Sequence, residues 1–207
     1  MPRRAITLQE TRIGLFGKLP ARGDFVRQEL PRDFTDPWDA WWQRGLADTQ
    51  CLAGDDWPAA WMEAPVWRFA LAPRVCGRRG VVGLWLPSVD KVGRFFPLTI
   101  AATASGGWVP LDAWVTFLDA AEAAGRAALN QGLAPAALLD RVQTEFLSAG
   151  EPGAAPGSEV LPQDFAPGLA AWWTGGGRRV APRSETGPGL PEGRRFAALI
   201  DDGWEAM

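Results

Sequence analysis

Apolar positions along the chain recur with two periods. Short apolar runs bounded by Gly, Pro and acidic residues predict strands at 13–17, 66–71, 81–86, 95–100, 169–174 and 196–200. Other stretches follow the helical period. Trp38, Trp41, Trp42 and Leu46 fall on one stripe and predict a helix to about residue 48, with Asp36 as N-cap and Pro37 at the first helical position. Trp57 and Trp61, four residues apart, predict a short helix over 55–63. Leu111, Trp114, Val115, Leu118, Ala121 and Leu129 share one face of a helix over 110–130, and Leu138, Leu139, Val142 and Phe146 one face of a helix over 134–146. Gly132 between them marks a stop, so these two form a helical hairpin on one face of a sheet. Their acidic residues, Asp112, Asp119, Glu122, Asp140 and Glu145, read as solvated surface. The short links between strands favour antiparallel pairing. The predicted class is α+β: a layered, mainly antiparallel sheet covered by helices.

Two polar loops interrupt this pattern. One follows the first strand and carries Lys18, Arg22 and Asp24; the other joins the strands at 81–86 and 95–100 and carries Ser88, Asp90, Lys91 and Arg94. Loops carry function disproportionately, and charges there steer association, so these seven residues are candidates for partner binding. The same charges could instead pair within the molecule and only fix the loops. Position decides: two loops side by side at one sheet edge make a common surface plausible, whereas loops at opposite ends point to structural charges. Gly14-Leu15-Phe16-Gly17-Lys18 lacks the spacing of a phosphate-binding loop, and Leu19 stands where Ser or Thr is needed. Arg22-Gly23-Asp24 spells an adhesion tripeptide, a chance meeting of common residues. From 148 to 195 the chain turns Gly/Pro-rich and loop-dominated. There Gly175, Gly176 and Gly177 precede Arg178 and Arg179 without a helix behind them, which predicts a mobile hairpin tip and not an anion cradle.

Composition narrows the chemistry. The 207 residues suit one domain spanning 1–207; 47% are hydrophobic and 22% charged, as in a globular protein. A net charge of −3 argues against nucleic-acid binding. With no His and only Cys51 and Cys76, neither a Cys/His zinc site nor a Ser-His-Asp or Cys-His nucleophile system can be assembled, and no metal or other cofactor is expected. Met1-Pro2-Arg3-Arg4 is not followed by an apolar signal core, and no run has the length of a membrane span. The expected compartment is the cytoplasm. Nineteen Arg against two Lys reads as a base-composition bias. Two other function classes stay open. A carboxylate enzyme would need Asp24 and Asp90 to converge in an apolar cleft, since the neighbours Asp55-Asp56 and Asp201-Asp202 point apart. A ligand-binding domain would line a pocket with Trp38, Trp42 or Trp85.

The motifs also carry a resemblance. Gly14-x-Phe16-Gly17-Lys18-Leu19-Pro20-x-Arg22-Gly23-Asp24-Phe25, then Asp36-Pro37-Trp38, then Pro87-Ser88-Val89-Asp90-x-x-Gly93-Arg94-x-Phe96-Pro97-Leu98, then Trp172-Trp173-Thr174-Gly175 and Leu190-Pro191 before Phe196, occur in an order that resembles the TagF/ImpM family of type VI secretion-associated proteins. The resemblance implies a longin-like α/β layer and a non-enzymatic cytoplasmic repressor. It would act after translation, through contact with a forkhead-associated-domain scaffold protein and apart from the threonine kinase and phosphatase pathway.

Overall fold

The computed structural model describes residues 11–104, 114–148 and 165–205. Their frame is a seven-stranded sheet in which every pairing is antiparallel. In chain order the strands are β1 (Thr11–Gly17), β2 (Val26–Gln28), β3 (Trp67–Leu71), β4 (Val81–Leu86), β5 (Leu98–Ala104), β6 (Leu169–Thr174) and β7 (Arg183–Pro188). Across the sheet the order is β2-β1-β5-β4-β3-β6-β7. All six residues of β4 are buried because both faces of this central strand are covered, which explains its unbroken apolar run.

Alternation along each strand sorts side chains to two chemically different faces. One face is aromatic. Trp67, Phe69, Trp85 and Trp172 from the sheet meet Trp38, Trp41 and Trp42 of α1 (Arg32–Ala53), together with Trp57 and Trp61 of α2 (Trp57–Glu63). Fully burying each such ring contributes on the order of 2–3 kcal/mol. Indole N–H groups then set register: Trp38 Nε1 donates to Thr99 Oγ1 at 3.0 Å, Trp67 Nε1 to the Leu199 carbonyl at 2.8 Å, and Trp41 Nε1 to the Pro191 carbonyl at 2.6 Å. Gly45 lets α1 lie directly on the Phe196 ring, since a Cβ there would overlap three of its carbons.

The other face is aliphatic. Ile13, Leu15, Leu84, Leu86, Leu98 and Ile100 pack under α3 (Val115–Gln131) and α4 (Pro135–Ser148). These helices form the expected hairpin, with Gly132 capping α3 in the left-handed conformation at φ 67°. The acidic residues of α3 are not all idle surface. Asp119 and Glu122 grip Arg68 of β3 at 2.8 and 2.9 Å, and Glu122 also holds Arg126 at 2.8 Å. Asp112 lies outside the described residues, as do 110–113 at the head of the expected helix.

Several elements differ from expectation. Helix α1 begins at Arg32, with Pro31 as N-cap, so Asp36 is not the cap and Pro37 sits inside the helix. The apolar stripe reaches back to Phe34, 1% exposed, and its burial outweighs the single backbone bond that Pro37 removes. The fifth strand starts at Leu98; residues 95–97 belong to the loop before it, where Phe95 bridges back to Val89. The apolar run at 196–200 is not a strand: α5 (Arg194–Ala197) and the turns after it bury Phe196, Ala197, Leu199 and Ile200 against the aromatic face. A run that short carries no period of its own. Nor is 175–179 a free hairpin tip, because Arg179 is bound by Asp56, Glu63 and Asp201.

Candidate functional site

The two polar loops meet. Gly17 ends β1 at φ 124°, a conformation open to glycine, and a Cβ there would strike the Pro97 carbonyl. This close approach lets Lys18 N donate to Pro97 O at 3.3 Å, and Ser88 Oγ donates to Lys18 O at 2.8 Å. Lys91 N donates to Arg22 O at 3.0 Å, and Arg94 Nη2 to Gly23 O at 2.6 Å. On the inner side, Trp61 Nε1 of α2 donates to Ser88 O at 2.9 Å.

Asp90 is the hub. Its side chain is 0% exposed and takes four donors: Oδ1 accepts from the backbone N–H of Val92 (3.0 Å) and of Arg94 (2.9 Å), while Oδ2 faces Arg94 Nε (2.7 Å) and Lys18 Nζ (3.0 Å). Burial alone would raise the Asp90 pKa. The Arg94 N–H, the Lys18 ammonium, the Arg94 guanidinium and the Val92 N–H outweigh it and hold the carboxyl well below the usual range. The Lys18 ammonium also lies 5.6 Å from the centre of the Phe25 ring, within cation–π reach. Phe25 packs against Phe96 at 4.6 Å and Phe16 at 5.5 Å.

The seven candidate residues therefore divide by depth. Lys18, Ser88 and Asp90 are buried and spend their polar atoms on the loops themselves. Arg22, Asp24, Lys91 and Arg94 are exposed, and so are Phe25 and Val92 beside them. Phe25 and Val92 were missed by reading charge alone; an aromatic and a Val inside polar loops were the available signal.

The chemistry of other classes finds little footing here. Asp24 stands in solvent and contributes nothing to the Asp90 shell. Asp56 and Asp201 share Arg179, and Asp202 pairs with Arg183 at 2.7 Å, so the carboxylates neutralise arginines that tie the segment before α2 and the C-terminal turn to the β6–β7 loop and the start of β7. Trp38, Trp42 and Trp85 are each 0% exposed, and the space between them is filled by their own rings, with Trp42 and Trp85 centred 4.8 Å apart. Among the described residues no cluster of His, Cys, Asp and Glu could hold a metal ion, and no helix is long and apolar enough to cross a membrane. A shallow groove of about 480 Å³ lies elsewhere, between Arg27, Gln28 and Glu29 at β2 and Ala136, Leu139, Asp140 and Gln143 at α4.

Comparison with known proteins agrees with the motif reading. No curated protein matches the chain. The crystal structure of PA0076 from Pseudomonas aeruginosa PAO1 is similar at a TM-score of 0.76 and 29% identity, covering 92% of this chain and 94% of that one. The family model for the TagF N-terminal domain, type VI secretion system-associated, matches residues 14–144, a span that includes both loops and the hub between them. The chain thus belongs to the TagF N-terminal domain family of type VI secretion system-associated proteins.

Proposed function

We propose that this protein is a cytoplasmic, non-catalytic regulator that holds back type VI secretion assembly by binding a partner, a forkhead-associated-domain scaffold protein. Family membership supplies the secretion context. The observation that carries the reading is the joined loop edge, where the buried Asp90 carboxylate is already consumed by Lys18 and Arg94. A general acid or base needs a free proton-accepting position in reach of substrate, and Asp90 has four donors instead. What is left outward is a rim of charged side chains around the exposed Phe25 and Val92, and aromatic and Arg side chains are enriched at interfaces. In this reading Arg22, Asp24, Lys91 and Arg94 contact the partner, while Lys18, Ser88 and Asp90 hold the rim in shape.

The test is a deletion strain assayed for effector export, with affinity capture from the same cells. Export rises under non-inducing conditions if the protein represses, and the scaffold protein is captured by the wild type. Unchanged export under both inducing and non-inducing conditions would overturn repression, whatever is captured.

A further inference from the structure

The joined loops place Arg22, Phe25, Lys91, Val92 and Arg94 on one outer edge, and we infer that this edge docks an acidic protein segment carrying an apolar residue. The inference rests on the regulator reading and names the chemistry of its partner. Proximity is fixed by the backbone: Lys91 N bonds Arg22 O and Arg94 Nη2 bonds Gly23 O, so the rims of both loops present together.

Apolar side chains also stand exposed here. Among the described residues, five large apolar side chains stand exposed, and Phe25 (47%) and Val92 (68%) are two of them, Phe25 being the aromatic one. Its ring is already immobilised against Phe96 and Phe16 and the Lys18 ammonium, so binding costs it little further conformational freedom. Rigid aromatic anchors flanked by arginine are the side chains that dominate binding energy at interfaces.

Charge selects the partner. The outer side chains are Arg22 and Lys91, with Arg94 shared with the buried Asp90, against Asp24, on a chain whose net charge is −3. Among the described residues, neither the Arg22 nor the Lys91 side chain has a carboxylate partner; Arg12, Arg32, Arg44, Arg74, Arg78, Arg79 and Arg194 share that state, and what marks this edge is that its unpaired cations stand on the same joined loops as the exposed Phe25 and Val92. An acidic segment would supply the missing counter-charges and be steered to the edge by them. Its apolar residue would lie against Phe25 and Val92.

The experiment places a benzoylphenylalanine photoprobe in the full-length protein at Phe25 or at Val92, with a control probe at the exposed Arg44 on α1, in cells producing the secretion system. Crosslinked peptides are then sequenced. Crosslinks from positions 25 and 92, absent from 44, to a segment rich in Asp and Glu are the expected result. A synthetic peptide of that segment should bind the purified protein and lose affinity on the order of tenfold in the double variant Arg22→Glu, Lys91→Glu, with recovery when its acids are changed to Lys. Added salt should weaken the wild-type complex more than that of the variant. No crosslink, a crosslink to a segment without acids, or one to phospholipid or nucleic acid would overturn the inference. If export is deregulated in the deletion strain but the photoprobes give none of these acidic crosslinks, the surface fails while the regulator reading stands. Acidic crosslinks with unchanged export leave the surface standing and remove the regulatory role.

Discussion

At the scale of single residues, Asp90 and Lys18 are not equivalent partners. Replacing Asp90 by Asn leaves the Lys18 ammonium buried without its counter-charge, and uncompensated buried charges cost about 3 kcal/mol or more. Replacing Lys18 by Met leaves Asp90 with a guanidinium and two backbone N–H groups, and an apolar chain suits the Phe25 neighbourhood. Denaturant unfolding should therefore show Asp90→Asn losing about 3 kcal/mol and Lys18→Met only ~1 kcal/mol. Equal losses would show that the pair, and not the carboxylate hub, is the unit of stability. These depths were not legible in the sequence. Lys18 and Lys91, or Asp24 and Asp90, are the same residue types in the same kind of loop, and only the fold puts one of each inside. What was legible was that the loops are unusually charged and share a family signature.

At the scale of elements, α1 is held by a contact that propensity opposes. Alanine is favoured over glycine in a helix interior by roughly 1 kcal/mol, yet at Gly45 the added methyl meets the ring of Phe196, itself 1% exposed and unable to yield. Overpacking of this kind costs about 1–3 kcal/mol, so Gly45→Ala should lower the melting temperature despite the better helix former. A raised melting temperature would mean that Phe196 moves freely. The helices with long apolar stripes, α1, α3 and α4, were readable because a period sustained over several turns has one interpretation. Strands β2 and β7 were not: β2 has three residues, and β7, Arg-Ser-Glu-Thr-Gly-Pro, is a polar edge strand whose place is set by pairing with β6. The run at 196–200 misled because full burial erases the alternation that separates strand from helix. The network around Arg179 was equally silent, since its carboxylates lie more than 20 positions away in either direction along the chain.

At the scale of the whole molecule, acid should be the destabilising condition. Asp90 is held low against its own burial, as is Glu122 beside Arg126 and Arg68, and hydrogen bonds from Arg179 lower Asp56 and Glu63. A carboxyl lowered in the folded state contributes stability that is fully present above its unfolded value, roughly 4, and lost as pH falls through the lower folded value. The protein should thus be steady from about pH 5 to neutrality, with no His to titrate there, and lose stability progressively below about pH 4. Thermal unfolding across that range checks this, and the slope below pH 4 should be shallower in Asp90→Asn.

The division of the sheet into an aromatic and an aliphatic face makes the molecule its own optical reporter. The chain has twelve Trp and no Tyr, so its near-ultraviolet signal is almost wholly indole. Nine of those rings belong to the aromatic cluster, with Trp38 and Trp172 stacked at 6.0 Å and Trp61 and Trp85 at 6.1 Å, close enough for their transitions to couple. Near-ultraviolet circular dichroism therefore follows mainly the packing of the aromatic layer, while the far-ultraviolet signal follows the helices of both layers, α1 and α2 as well as α3 and α4. If the two layers separate in a denaturant titration, the two spectral windows will show different midpoints; if the sheet binds them into one cooperative unit, the curves will coincide.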